Sequence, residues 1–464
     1  MMGVTEKKGE SLRRGLEPRH IMLMAMAGMI GTGIFKGSGD TLSIAGPSVT
    51  IAYLVCGLIL FIVMVALAEM AIAFPGLNMQ HLMYKAFGFR VSIMIGWLYW
   101  INWMIVTVVE VLAAGSFLNY WFPGVPLWLL AGLCGLFIIM INLFQVSLYG
   151  EFEFWFAGIK IGAIIVFIIL GILILFGVIQ GPNGPADPVK NLFGYGGFFP
   201  NGFGGMVSAL LVVIYSYGGS ELIGLTVNEA RDVEHVLPKV IKTVVTRVAM
   251  FYILPIIIIC SLMPWNSVSA TESSPFVQVF EAVGLPGVPH LMNFVLLTAV
   301  LSAGNSGIYA TTRTLYAMAE RGEAPKFARK LTKRGVPLGG IGLTAGFLAV
   351  GVVLAYLSPN QIINQLMSIP GFTISLVWIA ICLAELKLRP NYDRLPFFRM
   401  VGFPYMTIIG AAALSLIFIT FVLNPANLVG TLTCLGIMTF LIIISFYIRP
   451  EQKPATGNTS SDDD

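Results

Sequence analysis

Long apolar runs alternate with short polar punctuation along almost the whole chain. A helix needs about 20 mostly apolar residues to cross a bilayer core, and counting runs of that kind gives twelve. They cover residues 20–44, 48–73, 92–121, 126–147, 153–179, 202–229, 239–263, 288–318, 338–357, 361–386, 401–423 and 427–448. The turns around Pro47 and Ala426 are very short. Between the seventh and eighth runs, the stretch from Pro275 to Glu281 is amphipathic. A short lid helix and an ordinary surface loop both fit it. The pattern predicts an all-α integral membrane protein with 12 transmembrane helices.

Two of the twelve runs are interrupted. The first contains Gly28, Gly31 and Gly33 where a membrane helix should be most regular, and the sixth contains Gly218 and Gly219. Glycine weakens a helix by about 1 kcal/mol relative to alanine. Broken backbone is tolerated at membrane depth only where it is buried in protein or lines a watery cavity. A helix that restarts after Gly33 offers free N–H groups near Thr32 and Gly33 to an anion. Carbonyls released near Met29 and Ile30, and near Tyr215 and Ser216, accept hydrogen bonds from a cation. N–H groups and carbonyls side by side suit a zwitterion such as an amino acid. The competing reading is close packing of helices through small residues.

Composition agrees with a membrane protein: 57% of residues are hydrophobic and 11% charged, against about 25% charged in soluble domains. The five cysteines fall singly inside apolar runs, without metal or redox spacing, and read as core residues. No small-residue cleavage site follows the first run, which is expected to remain in the mature protein. Lys7, Lys8, Arg13, Arg14 and Arg19 precede the first run. Lys and Arg recur after the second, sixth, eighth, tenth and twelfth runs, whereas the alternate loops hold only Lys36 and Lys190. This bias predicts that both termini are cytoplasmic. The turn after the fourth run departs from it, with Glu151 and Glu153 but no basic residue before Lys160.

An ionisable residue inside the membrane is expensive and so points to function. Glu110 lies near the middle of the third run, Lys160 in the fifth, Glu221 just past the break in the sixth and Arg313 in the eighth. Lys160 has two readings. It carries a proton as a cavity opens and closes, or its stem snorkels to the inner surface to balance Glu151 or Glu153. Glu110 either titrates or is a buried carboxylate bonded to a neighbouring helix. Glu221 reads as a support for the broken helix. No HExxH, GxSxG, Walker A or histidine cluster is present, so neither catalysis nor a metal is expected.

Several stretches together carry a resemblance. They are Arg19-His20-Ile21 leading into Gly31-Thr32-Gly33-Ile34-Phe35, then Leu67-Ala68-Glu69-Met70-Ala71, then Phe152 to Lys160. Tyr217 to Gly224, Glu229 with Pro238-Lys239, and Asn305 to Ala310 through Ala324-Pro325-Lys326-Phe327 complete the set. From about Arg14 to Arg449 the chain resembles the amino acid permeases of the amino acid–polyamine–organocation superfamily, especially the bacterial amino acid transporter branch. The resemblance implies a leucine-transporter fold. Residues 20–179 and 202–386 then form a 5+5 inverted repeat with helices 1 and 6 broken, and residues 401–448 supply two appended helices. Residues 1–19 and 449–464 become cytoplasmic tails in the plasma membrane of a bacterium. The resemblance also implies substrate contacts at Ile30, Gly31, Thr32 and Gly33, and at Tyr215, Ser216, Tyr217 and Gly218, with Tyr215 as the gate. It assigns proton coupling to Lys160 and Glu110, with protons favoured over sodium.

The expected activity is therefore import of neutral L-amino acids by proton symport through alternating access, in a lipid bilayer. An amino acid exchanger without net proton movement is the alternative. A membrane sensor fits less well, because it needs a longer tail or an added domain. Neither a cofactor nor a nucleic acid partner is expected. Two positions depart from the family pattern: Ser220 stands where several relatives carry a larger residue, and Lys36 where many carry an apolar one.

Overall fold

The computed structural model describes residues 29–143, 146–180, 184–222, 233–268, 273–332, 335–358 and 362–448. The basic N-terminal tail, Gly28, Glu229, Arg231 and the acidic C-terminal tail lie outside the described residues. Among the described residues the structure is helical, with an isolated β-bridge between Leu331 and Pro337.

The chain opens with α1 (Thr32–Phe35) and α2 (Gly37–Ala45), and α3 (Val49–Ala73) follows a single tight turn at Gly46–Ser48. Next come α4 (Met79–Phe87), α5 (Phe89–Asn119), α6 (Leu127–Asn142), α7 (Val146–Leu175) and α8 (Pro188–Phe193). Then follow α9 (Gly202–Tyr217), α10 (Val233–Val248), α11 (Leu254–Leu262), α12 (Pro275–Val283) and α13 (Val288–Glu320). The last are α14 (Leu338–Leu357), α15 (Ile362–Leu388), α16 (Tyr405–Leu423) and α17 (Leu428–Tyr447). Among the described residues, nine helical stretches are long and apolar enough to cross a membrane, and α6 and α9 are shorter apolar helices. One of the nine runs from Gly37 to Ala73, because the turn at Pro47 hardly interrupts it.

Three short helices, α4, α8 and α12, fall between the apolar runs. In α4 the Asn78 side chain accepts from the His81 N–H at 3.0 Å, an N-cap that satisfies one of the free donors of the first turn. The amphipathic stretch after Ser274 is the helix α12. Its face from Pro275 to Phe280 is buried, with the Phe276 ring 5.2 Å from that of Phe35 and 4.6 Å from that of Phe167. The five cysteines are all buried and free.

Three long helices frame the centre. Helix α5 packs along α13 and α15, and α9 lies against α2, α3 and α15. The interrupted segments therefore face one another across the interior. In the first, Gly31 is extended (φ −155°, ψ −152°) and helix α1 begins at Thr32. In the second, α9 stops at Tyr217, and Gly219 takes φ +100°, a conformation that L side chains rarely adopt. A short 3-10 turn, Ser220–Leu222, follows.

Candidate substrate and coupling site

The breaks approach so closely that a Cβ built on Gly33 would lie 2.5 Å from the Cα of Ser216. The Ser216 hydroxyl donates to the Gly33 carbonyl at 2.8 Å. A cavity of about 30 Å³ lies between them, bounded by Gly31, Gly33, Tyr215, Ser216, Glu110 and Trp103 among others. That volume holds about one or two waters. Five of the eight residues expected to contact substrate line it: Gly31, Gly33, Tyr215, Ser216 and Gly218.

The other three are turned elsewhere. Thr32 faces Glu110, whose carboxylate accepts from the Thr32 N–H at 3.0 and 3.1 Å and from its hydroxyl at 2.6 Å. The Ile30 carbonyl accepts from the Lys160 ammonium at 3.3 Å. Tyr217 donates its hydroxyl to the Tyr53 carbonyl at 2.8 Å, inside a buried aromatic cluster. The hydroxyl of Tyr215, the expected gate, has no hydrogen-bond partner among the described residues.

Lys160 is fully buried on α7. Its nitrogen lies 3.8 Å from the Glu153 carboxylate, also fully buried, and Glu153 accepts from the Ser302 hydroxyl on α13 at 2.8 Å. A buried lysine requires this kind of partner, because desolvating an unpaired charge costs several kcal/mol, roughly. Lys160 therefore joins α7, the first break and, through Glu153, α13.

The remaining exceptional positions each have a defined contact. Ser220 donates to the Tyr217 carbonyl at 2.8 Å, capping the interrupted helix. Lys36 reaches the Ser116 hydroxyl at 3.1 Å. Glu221 accepts from the Gly219 N–H at 3.2 Å, a brace within the second break.

Asn102 and Tyr252 are among the residues at the site that escaped the sequence pattern. Asn102 lines the cavity and accepts from Thr373 on α15 at 2.9 Å. It lies eight residues before Glu110, and the i, i+4 rule puts both on one face of α5, a signal that was present in the spacing. Tyr252 donates its hydroxyl to the carbonyls of Met29 and Ser216 at 2.6 and 2.9 Å. A single tyrosine in an apolar run carries no such signal. Among the described residues, no group of three His, Cys, Asp or Glu side chains is placed to hold a metal.

A family model for amino acid permeases matches residues 20–459, nearly the whole length. The chain belongs to the amino acid permease family. Among its relatives is YvbW of Bacillus subtilis, an uncharacterized amino acid permease 40% identical over 95% of this chain and 98% of that one. The aromatic amino acid transport protein AroP of Escherichia coli K12 is 39% identical over 83% of each chain. A gamma-aminobutyric acid permease of Bacillus subtilis is 35% identical over 95% of this permease and 94% of its own length. The permease is thus a multi-pass membrane protein whose family carries amino acids, and a transporter rather than an enzyme.

Proposed function

We propose that this permease imports neutral L-amino acids by proton symport through alternating access around the two breaks. The reading includes twelve spans in a 5+5 inverted repeat with two appended helices, and both termini in the cytoplasm of a bacterium. The observation that carries it is the contact between Lys160 and the Ile30 carbonyl. It ties a buried ionisable group directly to the broken backbone that would hold substrate. Loading or unloading a proton in the Lys160–Glu153 pair changes the force on that backbone.

Glu110 supplies the second link. Its carboxylate occupies the Thr32 N–H that a substrate carboxylate needs. A proton on Glu110 weakens that hold and releases the donor, so proton and substrate favour one another. The substrate ammonium is met by carbonyls of the broken backbone at Met29, Tyr215 and Ser216, residues that line the cavity and whose carbonyl oxygens each carry a second lone pair. Neutral side chains fit the apolar lining supplied by Met29, Trp103, Val106 and Ile374. Aromatic amino acids and γ-aminobutyrate, the cargoes in the relatives' names, share one carboxylate, one ammonium and no further fixed charge.

The test is uptake of labelled amino acids, L-phenylalanine and γ-aminobutyrate included, into proteoliposomes with an inward proton gradient. Accumulation that collapses with a protonophore, and is lost in Lys160→Met, is the expected result. Uptake that ignores the gradient but requires amino acid inside establishes exchange instead.

A further inference from the structure

We propose that Tyr252 is a positioning residue that yokes the two breaks, so that they move as one unit during transport. The proposal rests on the reading of the breaks as the transport site, and it concerns a residue outside that site's lining.

The hydroxyl bridges two segments far apart in sequence. It donates to Met29, just before the first break, at 2.6 Å and to Ser216, at the end of α9, at 2.9 Å. The Ser216 carbonyl is among the last four of its helix and has no i+4 donor. Met29 and Ile30 lie outside any helix. Met29 and Ser216 line the cavity, whereas Tyr252 is not part of its lining.

Local backbone aims the side chain there. Between α10 and α11 the chain takes a π turn, Ala249–Ile253, in an otherwise α-helical stretch. A π turn inserts one residue into the ladder and rotates the side chains that follow, and such turns concentrate at functional sites. Tyr252 falls inside it and is fully buried. Its ring is held by Tyr217 and Tyr53, with centroids 4.6 and 6.0 Å away. Ring packing thus helps to fix where the oxygen sits.

The chemistry of the bridge makes it a joint. A phenol carries one proton, and here two carbonyls compete for it. Moving either carbonyl away without the other forfeits its share of that proton. A shift of Met29 is thereby felt at Ser216, and the reverse.

The experiment compares the wild type with Tyr252→Phe, which keeps the ring and removes the hydroxyl. Amide hydrogen exchange, without substrate, is read over residues 29–36 and 215–222. Exchange in both segments is expected to rise about two- to tenfold, as for loss of one buried hydrogen bond, while α11 is unchanged. No rise in either segment, a rise in one alone, or a rise throughout the protein overturns the proposal. Uptake of L-phenylalanine and γ-aminobutyrate then separates binding from movement: turnover is expected to fall by about the same factor with KM little changed. A rise in KM at unchanged turnover also overturns it. Should Tyr252→Phe not fold, 3-fluorotyrosine at position 252 retains the ring and makes the hydroxyl a stronger donor. It is expected to slow exchange in both segments, and unchanged exchange counts against the yoke. Wild-type protein that carries neither probe refutes the proposed transport activity, while the exchange result still decides the yoke.

Discussion

The Glu110 carboxylate accepts both the backbone N–H and the hydroxyl of Thr32, with distances of 3.0 and 2.6 Å to its two oxygens. A donor expected to greet a substrate carboxylate is thus held by one of the protein's own. The arrangement makes Glu110 a competitor whose strength depends on its charge. As pH rises and the carboxylate ionises, it keeps Thr32 and opposes substrate, so uptake falls. Glu110→Gln is permanently neutral and still accepts from Thr32, but more weakly. We expect this variant to bind substrate while losing both accumulation and the dependence of initial rate on external pH, measured between about pH 5.5 and 8. A pH profile that matches the wild type removes Glu110 from the coupling step.

The contact between Gly33 and Ser216 gives a sharper steric test. A Cβ on Gly33 meets the Cα of Ser216 at 2.5 Å, and backbone cannot step aside as a flexible side chain does. At Gly37, one turn on, the nearest atom to an added Cβ is Val212 Cγ1 at 3.5 Å, an ordinary contact. Gly33→Ala is expected to cost about 1–3 kcal/mol through overpacking and to abolish uptake. Gly37→Ala is expected to retain uptake and to be neutral or stabilising, by up to about 1 kcal/mol from helix propensity. Thermal unfolding in detergent and uptake of the same preparations check both.

The two breaks were legible because glycine clusters conflict with a regular membrane helix. The limits of α14 were legible as well: Leu338–Leu357 coincides with the apolar run. Glu110 and Lys160 stood out as charges in apolar surroundings. Tyr252 did not, because its role depends on a π turn that shifts register without leaving a composition signature. Helix α4 was missed for a different reason. Nine residues are too few for apolar periodicity to rise above the neighbouring spans, although the Asn78 cap was there to be read. The partner of Lys160 was open between Glu151 and Glu153. Only the packing of α7 on α13 shows Glu153 bound to Ser302 as well as to Lys160.

That pairing has an energetic consequence. Lys160 and Glu153 are both fully buried, so removing one leaves the other without its counter-ion. Lys160→Met is expected to destabilise the protein by about 3–5 kcal/mol. The double variant Lys160→Met/Glu153→Gln removes both charges and is expected to recover much of that loss, because an uncharged amide still accepts from Ser302. Unfolding midpoints of the two singles and the double form a cycle that isolates the pair. Equal loss in Lys160→Met and in the double variant indicates that the missing stem, and not the stranded carboxylate, is what matters.

At the far end of α15, Arg389 serves two buried carboxylates at once. Its Nε lies 3.1 Å from Glu69 on α3, and its Nη1 lies 4.0 Å from Glu385 one turn back. Glu69 also accepts from the Met400 N–H at 2.6 Å, and Glu385 accepts from the Thr407 hydroxyl at 2.7 Å. The cluster ties α3, α15 and the start of α16 together around one guanidinium. Removing it in Arg389→Met strands two like charges, and a loss of about 3–5 kcal/mol is expected. Adding Glu385→Gln to that variant is expected to return part of the stability, since one stranded charge is gone. Arg389→Lys keeps the charge but cannot extend separate donors from a rigid fork to Glu69 and to the Met400 carbonyl, which Nη1 reaches at 3.2 Å. Its unfolding midpoint is expected between the wild type and Arg389→Met. A lysine variant as stable as the wild type means that the cluster needs only a positive charge at that place, and the fork geometry contributes nothing.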